Sequence, residues 1–188
     1  MTKILETLIR LGACAKPLAW LALPENEGNS PQELWETCPR GGWLMWLVTE
    51  AGVPRNLVAP AVCDCARLAL PYVPDGENRP RICIEITEAF TRGEATREQV
   101  RAAAYATDAA AEAAAPAAKS AAYAAANAAY AAVCSGVCAN SAADSADYAA
   151  TYAAARSETL AECADLVRAR ISWSVVDAAL KLKGMCEL

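Results

Sequence analysis

Apolar residues recur at helical spacing along most of this chain. The first run occupies positions 4, 5, 8, 9 and 11, with charged residues between them, which predicts an amphipathic helix over residues 2–14. No segment alternates apolar and polar positions with the period of two that is typical of strands. The pattern therefore predicts an all-α protein, a multi-helix bundle of short N-terminal helices and long alanine-rich helices with no sheet.

Proline, glycine and serine divide residues 1–93 into short helices. Ser30 before Pro31 has the pattern of an N-cap followed by proline in the first helical turn. Pro60 falls inside a helical run and is expected to bend or interrupt it, because proline lacks a backbone donor. The helices expected after the first one run from Pro17 to Leu23, around Leu34 and Trp35, from Trp43 to Gly52, from Pro54 to about Leu70 and from Arg79 to about Thr91.

Residues 94–188 form a second, alanine-rich part, and more than half of residues 102–155 are alanine. Thr96 and Gln99 have the spacing of a capping box where this part begins. Two or three helices are expected in the alanine-rich segment rather than one. The expected interruptions are Pro116 and the Ser135-Gly136 pair, Ser157 is expected to cap a helix from Leu160 to Ile171, and Ser172 to cap the last helix.

Five tyrosines of the alanine-rich part are spaced by nearly whole helical turns. On helices they would line a stripe, in which each ring packs over alanines of a neighbouring helix or, alternatively, contacts a ligand or partner. Alanine lets helix axes approach closely, which predicts a tight bundle within the chain or a homodimer through the alanine-rich helices. The tyrosines are Tyr105, Tyr123, Tyr130, Tyr148 and Tyr152.

The charge of the chain limits its partners. Acidic residues outnumber basic residues by 22 to 17, which gives a net charge of −5. Long nucleic acids are excluded as partners, because their binding depends on lysine and arginine neutralising phosphates. A small anionic ligand held by a few arginines is compatible with this charge, since a local site can oppose the global charge.

The length of 188 residues is sufficient for one all-helical domain over residues 1–188. The N-terminus does not have the pattern of a secretory signal, because Glu6, Arg10 and Lys16 interrupt its apolar run. Residues 120–143 carry no charge, but alanine is weakly apolar and the Ser and Asn side chains there would need partners in lipid. A cytoplasmic protein without a membrane segment is therefore expected.

The chain has nine cysteines and no histidine. The missing histidine excludes histidine acid–base catalysis, Ser-His and Cys-His nucleophiles and histidine-ligated zinc. As an alternative, the Cys63-Asp64-Cys65 and Cys134/Cys138 pairs could ligate a metal. Neither pair has the CxxC spacing that is usual in zinc sites, so the signal is weak. We predict no metal and no cofactor, and we expect packed thiols. A second alternative is an enzyme with Cys63 or Cys65 as nucleophile and Asp64 as helper.

Arginines and aromatic residues of the first part are the candidate binding residues. Arginine presents forked donors to carboxylates and phosphates, and aromatic rings stack on flat ligands. The alternative is that these arginines pair with Asp64, Asp75, Glu77 or Glu85 and hold loops together. The predicted ligand- or partner-binding residues are Arg40, Trp43, Trp46, Asp64, Arg67, Tyr72, Arg79, Arg81 and Glu85.

Several short runs between residues 63 and 96 carry a family resemblance. They are residues 63–74 (CDCARLALPYVP), residues 76–81 (GENRPR), Phe90 and residues 92–96 (RGEAT), which lead into the alanine-rich helices. The chain resembles the alanine-rich "putative immunity protein" family in these runs. The resemblance extends to the turn at residues 38–41 with Trp43 and to residues 163–168. The family occurs in bacteria, phages and other mobile elements, and the resemblance implies a protein that antagonises a toxin by binding. Some members carry histidines in the alanine-rich half, so any histidine-dependent role does not transfer to this chain.

Two functions follow as hypotheses. The first is a non-enzymatic, immunity-like or phage counter-defence protein of the bacterial host cytosol that neutralises a toxin or defence effector by direct binding. The acidic charge, the missing catalytic groups and the resemblance favour it. The alternative is a small-ligand binder that sequesters an anionic or nucleotide signal through Arg40, Arg67, Arg79 and Arg81, with Trp43, Trp46 or Tyr72 stacking on a base.

Overall fold

A computed structural model describes residues 3–112, 114–133, 139–151 and 156–185. Within these ranges the chain forms α-helices and two short 3₁₀ helices and contains no strand, so the prediction of an all-α bundle is confirmed. The α-helices are α1 (Lys3–Leu11), α2 (Ala15–Leu21), α3 (Pro31–Thr37), α4 (Gly41–Ala51), α5 (Arg55–Arg67), α6 (Arg79–Thr91), α7 (Arg97–Glu112), α8 (Pro116–Val133), α9 (Ala139–Thr151), α10 (Arg156–Arg170) and α11 (Trp173–Leu182).

Local capping signals set several helix boundaries as predicted. At α3, the Ser30 hydroxyl accepts from the backbone N–H of Glu33, and the Glu33 carboxylate accepts from the N–H of Ser30. Thr96 and Gln99 exchange the equivalent pair of bonds before α7. The end of α4 falls at Gly52, whose φ of 85° is a left-handed conformation that glycine adopts without strain.

Other boundaries differ from the prediction. The first helix ends at Leu11 rather than at residue 14, because Gly12 turns the chain with a φ of 86°. The second helix begins at Ala15, so Pro17 lies in its first turn rather than at its start. Helix α5 continues through Pro60 without interruption, since buried residues on both sides hold it against its neighbours, and it ends at Arg67. The two 3₁₀ helices, Pro24–Asn26 and Leu70–Tyr72, lie where loops or a helix end were expected.

The serines predicted as later caps have different outcomes. Ser172 occupies the N-cap position of α11, but its side chain makes no capping bond and pairs with Ser174 instead. Helix α10 begins at Arg156, four residues before the predicted start at Leu160, so Ser157 lies within the helix and the prediction that it caps the helix is wrong. The Ser157 side chain and the Ser135-Gly136 pair lie outside what the structure describes.

Helix α8 lies at the centre of the described bundle. It packs against α7 and α9 of the alanine-rich part and against α5 and α6 of the first part. Its buried residues are nearly all alanines, which lets the neighbouring helices approach closely. Helices α9 and α10 pack in turn against α4 and α5. Both parts of the chain therefore contribute to one continuous core.

Tyrosine rings join the alanine-rich helices. Tyr105 on α7 and Tyr130 on α8 meet with ring centroids 6.4 Å apart, and Tyr123 on α8 and Tyr148 on α9 meet at 5.3 Å. The four rings therefore meet in two pairs, ring against ring, and Tyr105 is 65% exposed, so the packing of each ring over alanines stays a prediction. Tyr152, the fifth member of the predicted stripe, lies outside the described ranges.

The uncharged segment at residues 120–143 falls on α8, on α9 and on the residues between them. None of the helices that the structure describes combines the length and the apolar character needed to cross a bilayer. In α8, Ser120 is instead buried within the bundle, and Asn127 donates to a carbonyl of its own helix.

Candidate functional site

Two consecutive glycines bring the start of α4 against two other helices. A Cβ atom on Gly41 would lie only 2.4 Å from Cβ of Cys163 on α10. One on Gly42 would lie 2.9 Å from Oδ1 of Asp147 on α9. Only glycine allows approaches this close. The turn at residues 38–42 therefore places Arg40 and the start of α4 directly beside α9 and α10.

All five tryptophans of the chain line one apolar cavity of about 50 Å³. Residues of α1, α2, α3, α4 and α11 enclose it. Two ring pairs form its walls, Trp20 with Trp43 at 6.0 Å between centroids and Trp35 with Trp173 at 6.2 Å. This volume is too small for an aromatic ring, since a benzene ring needs a cavity of roughly 150 Å³.

A wider cleft of about 560 Å³ adjoins the tryptophan cavity. The two share Pro17, Trp43 and Trp46 as common walls. The cleft is also lined by Lys16 at the start of α2, by Arg40 and by Asp147 on α9. Its volume lies in the range of small-molecule sites, and it combines apolar walls with a few charged groups as such sites do.

Arg40 is the central charged residue of the cleft. Its guanidinium carbon lies over the Trp43 ring, 5.1 Å from the centroid. Its Nη2 donates to Oδ1 of Asp147 across 3.4 Å, a long hydrogen bond. Its Nε is buried and has no hydrogen-bond partner within the described part of the chain. A buried donor without a partner is costly to the fold.

Two of the predicted residues hold helices together instead. Arg67 on α5 donates through Nε and Nη2 to Glu88 on α6, at 3.2 and 2.6 Å, and these hydrogen bonds raise the pKa of Arg67. Asp64 on α5 accepts from Nε of Arg170 on α10 at 2.7 Å. Both residues thus form ion pairs, as the pairing alternative expected, but with other partners: Glu88 was not among the predicted carboxylates, and Arg170 was not among the predicted arginines.

The predicted residues of α6 and the preceding loop lie away from the cleft. Arg79 forms an ion pair with Glu77, as the pairing alternative expected, and the hydrogen bonds from Arg79 lower the pKa of Glu77 to about 2. Arg81 and Glu85 are exposed on α6, and Tyr72 is half-buried. Of the nine predicted residues, the structure brings together only Arg40, Trp43 and Trp46 around one cleft.

Lys16 and Asp147 were missed by the sequence analysis. Asp147 lies 107 positions after Arg40, and no local pattern in α9 indicates that contact. Lys16 was noted only as a charge that interrupts the first apolar run. Composition gives a signal only for the tryptophan cavity. A chain with five tryptophans and a single phenylalanine concentrates its aromatic area in few residues.

The predicted cysteine alternatives involve buried thiols. Cys63 and Cys65 have no exposed surface. Burial raises the pKa of Cys63, and a hydrogen bond with Cys163 together with burial raises the pKa of Cys65. A thiol with a raised pKa is a weak nucleophile at neutral pH. No metal-binding group of three or more carboxylate and thiol side chains occurs within the described ranges, and Cys134 and Cys138 lie outside them.

Comparison with known proteins gives one match. A family model described as "Imm-5 like putative immunity protein" matches residues 53–177, from just before α5 into α11. Four of the five tryptophans and Arg40 precede the matched residues. Neither the curated proteins nor the solved structures contain a match. Since the matched residues make up more than half of the sequence, the chain belongs to the "Imm-5 like putative immunity protein" family.

Proposed function

We propose that this protein neutralises a toxin or a defence effector by binding it directly, without catalysis, in the cytosol of a bacterial host or a phage-infected cell. The family match over residues 53–177 is the observation that carries the proposal, because an immunity-like function implies a protein partner. The net charge of −5 supports a partner with a basic surface, since complementary charge steers association.

The chemistry of the chain supports binding rather than turnover. A histidine acid or base is excluded by the sequence. The thiols of Cys63 and Cys65, which were the alternative nucleophiles, are buried and have raised pKa values. Arg67 and Asp64, the charged groups beside them, are engaged by Glu88 and Arg170.

The two other predicted partners are a nucleotide and a second copy of the chain. Capture of a nucleotide by four arginines is not the function that the geometry favours, because only Arg40 of the four borders the tryptophan-lined cleft. Self-association through the alanine-rich helices stays a prediction, and the outward face of α7 offers exposed residues for it. These are Ala102, Tyr105, Ala106 and Ala109.

A stoichiometric titration tests direct neutralisation. The full chain, carrying an affinity tag, captures proteins from a host lysate, and each captured protein is purified and assayed for toxicity or enzymatic activity. The chain is then titrated into that protein at a concentration far above the dissociation constant. We expect the activity to fall linearly and to reach zero at a fixed molar ratio, and we expect binding to weaken as salt is raised.

The same titration separates binding from catalysis. A catalytic antidote would inactivate many equivalents of the toxin with time, so neutralisation that continues below the stoichiometric ratio would contradict the proposal. Complexes that form without loss of the partner's activity would contradict it as well. The controls are Cys63→Ala and Cys65→Ala, which remove the alternative nucleophiles and are expected to neutralise as well as the parent chain.

A further inference from the structure

We propose that the cleft beside the tryptophan cavity binds one small molecule, a planar aromatic carboxylate. The ring would stack on Trp43 and Trp46, which form apolar walls of the cleft, and the carboxylate would face Lys16 and Arg40. Most of this site comes from α1 to α4, which precede the family-matched residues, so it does not depend on the proposed toxin binding.

The apolar half of the site comes from the tryptophans. Trp43 and Trp46 are half-buried and line the cleft together with Pro17, and the cleft volume of about 560 Å³ leaves room for a flat ring. A ring in the cleft can pack on these indoles in the offset or edge-to-face arrangements that aromatic groups favour.

The charged half of the site comes from Lys16 and Arg40. Lys16 is exposed at the cleft, and no ion pair of Lys16 is found in the described part of the chain. Arg40 also lines the cleft, where its Nη2 makes a long hydrogen bond of 3.4 Å to Asp147. A carboxylate at this position would receive charge-assisted hydrogen bonds, which are stronger than neutral ones.

Asp147 limits the charge of the ligand. Its carboxylate borders the same cleft and lies 3.4 Å from the Arg40 guanidinium. The residues that line the cleft carry two cations and one anion, which matches a single carboxylate and not a chain of phosphates. Asp144 adds a second carboxyl group near Asp147, since burial and the charge of Asp147 raise the pKa of Asp144. Repulsion between Asp147 and a triphosphate, within an acidic protein, disfavours nucleotides at this site.

Calorimetry with matched ligands tests the site. The full chain is titrated with 2-naphthoate, with the uncharged isostere 2-naphthamide and with ATP. The indole N–H signals of a nitrogen-15 NMR spectrum report the location, because Trp43 and Trp46 line the cleft whereas the other three tryptophans line only the cavity. We expect 2-naphthoate to bind at one site and to shift the indole signals, the amide to bind about tenfold more weakly, and ATP to bind more weakly than 2-naphthoate.

Charge-neutralising variants identify the carboxylate partners. Arg40→Gln is expected to weaken 2-naphthoate about tenfold and to leave 2-naphthamide nearly unchanged. Lys16→Gln is expected to act in the same direction, and its exposed position keeps the test valid should the Arg40 variant fail to fold. Arg101→Gln is the matched control, since it removes one exposed positive charge from α7, away from the cleft, and is expected to change nothing.

Several outcomes would overturn the site. These are no binding of 2-naphthoate at millimolar concentration, equal affinities for the acid and the amide, tighter binding of ATP, or indole signals that do not move at saturation. An equal loss of affinity in the Arg101 control and in the Lys16 variant would also overturn the site. The loss would then come from the net charge of the protein and not from a contact in the cleft.

Discussion

Gly41 and Gly42 occupy the first turn of α4, where two other helices come closest to it. A side chain on Gly41 would overlap both the Cβ and the backbone of Cys163, at 2.4 and 2.7 Å. Backbone atoms cannot move aside as a flexible side chain can, so α10 would have to shift. We therefore expect Gly41→Ala to lower the free energy of unfolding by about 1–3 kcal/mol, as overpacked cores do, measured by denaturant unfolding.

Gly42→Ala is the matched control for that experiment. It adds the same methyl group one residue later in the same turn, but the nearest atom is the carboxylate oxygen of Asp147, at 2.9 Å. That side chain is half-exposed and can turn away, so the loss of stability is expected to be smaller. A Gly42 variant that is less stable than the Gly41 variant would contradict the close approach of α4 to α10.

Carbonyl groups at the C-terminal end of α3 accept hydrogen bonds from an arginine of α10. Nη1 of Arg168 donates to the carbonyls of Trp35 and Cys38, at 3.1 and 2.9 Å, while Nη2 pairs with Asp165. A cation at a helix C-terminus satisfies carbonyls that lack helical partners and interacts favourably with the helix dipole. Arg168 thus fixes the end of the helix that carries Trp35 into the tryptophan cavity.

We expect Arg168→Met to lower the free energy of unfolding by about 1.5–3 kcal/mol, because it removes charge-assisted hydrogen bonds from half-buried carbonyls. Thermal and denaturant unfolding of the full chain measure the loss. The control is Arg92→Met, which removes an exposed ion pair with Glu94 and is expected to cost less than about 1 kcal/mol. Equal losses of stability in the two variants would show that Arg168 contributes no more to the free energy of unfolding than an exposed charge does.

The elements of this protein were predictable where their signals are local. The N-cap at Ser30, the capping box at Thr96 and the stop at Gly52 each depend on residues within four positions, and all three are confirmed. Pro60 does not interrupt α5, because tertiary packing of the helix outweighs one missing hydrogen bond, and the predicted bend stays a prediction. Ser172 takes the N-cap position without the capping bond, because its hydroxyl pairs with Ser174.

The candidate site was predictable only in part, because its contacts are long-range. Arg40, Trp43 and Trp46 lie within six positions of each other in the sequence, and local reasoning found them. Asp147 and Trp173 approach the same region from the far end of the chain, where their own sequence surroundings give no indication of it. For Arg67, the residue type indicated an ion pair, but the choice of Glu88 as its partner depends on how α5 and α6 pack.

At the scale of the whole molecule, α8 connects the two parts that the sequence separates. It belongs to the alanine-rich part, yet it packs on α5 and α6 of the first part. A change inside α8 should therefore destabilise both parts together if residues 1–188 fold as one domain. The tryptophans make this measurable, because all five lie around the cavity of α1 to α4 and α11.

Ala128 on α8 is fully buried, so Ala128→Leu overfills the core and is expected to cost about 1–3 kcal/mol. Far-UV circular dichroism follows the loss of helix throughout the chain, and tryptophan fluorescence follows the cavity. For one cooperative unit, both transitions coincide and move to the same lower midpoint. The control, Ala109→Leu, makes the same change on the exposed face of α7 and is expected to stay within about 0.5 kcal/mol of the parent chain. A tryptophan transition that stays in place while the helical signal shifts would mean that the two parts unfold separately, and the single-domain prediction would then be wrong.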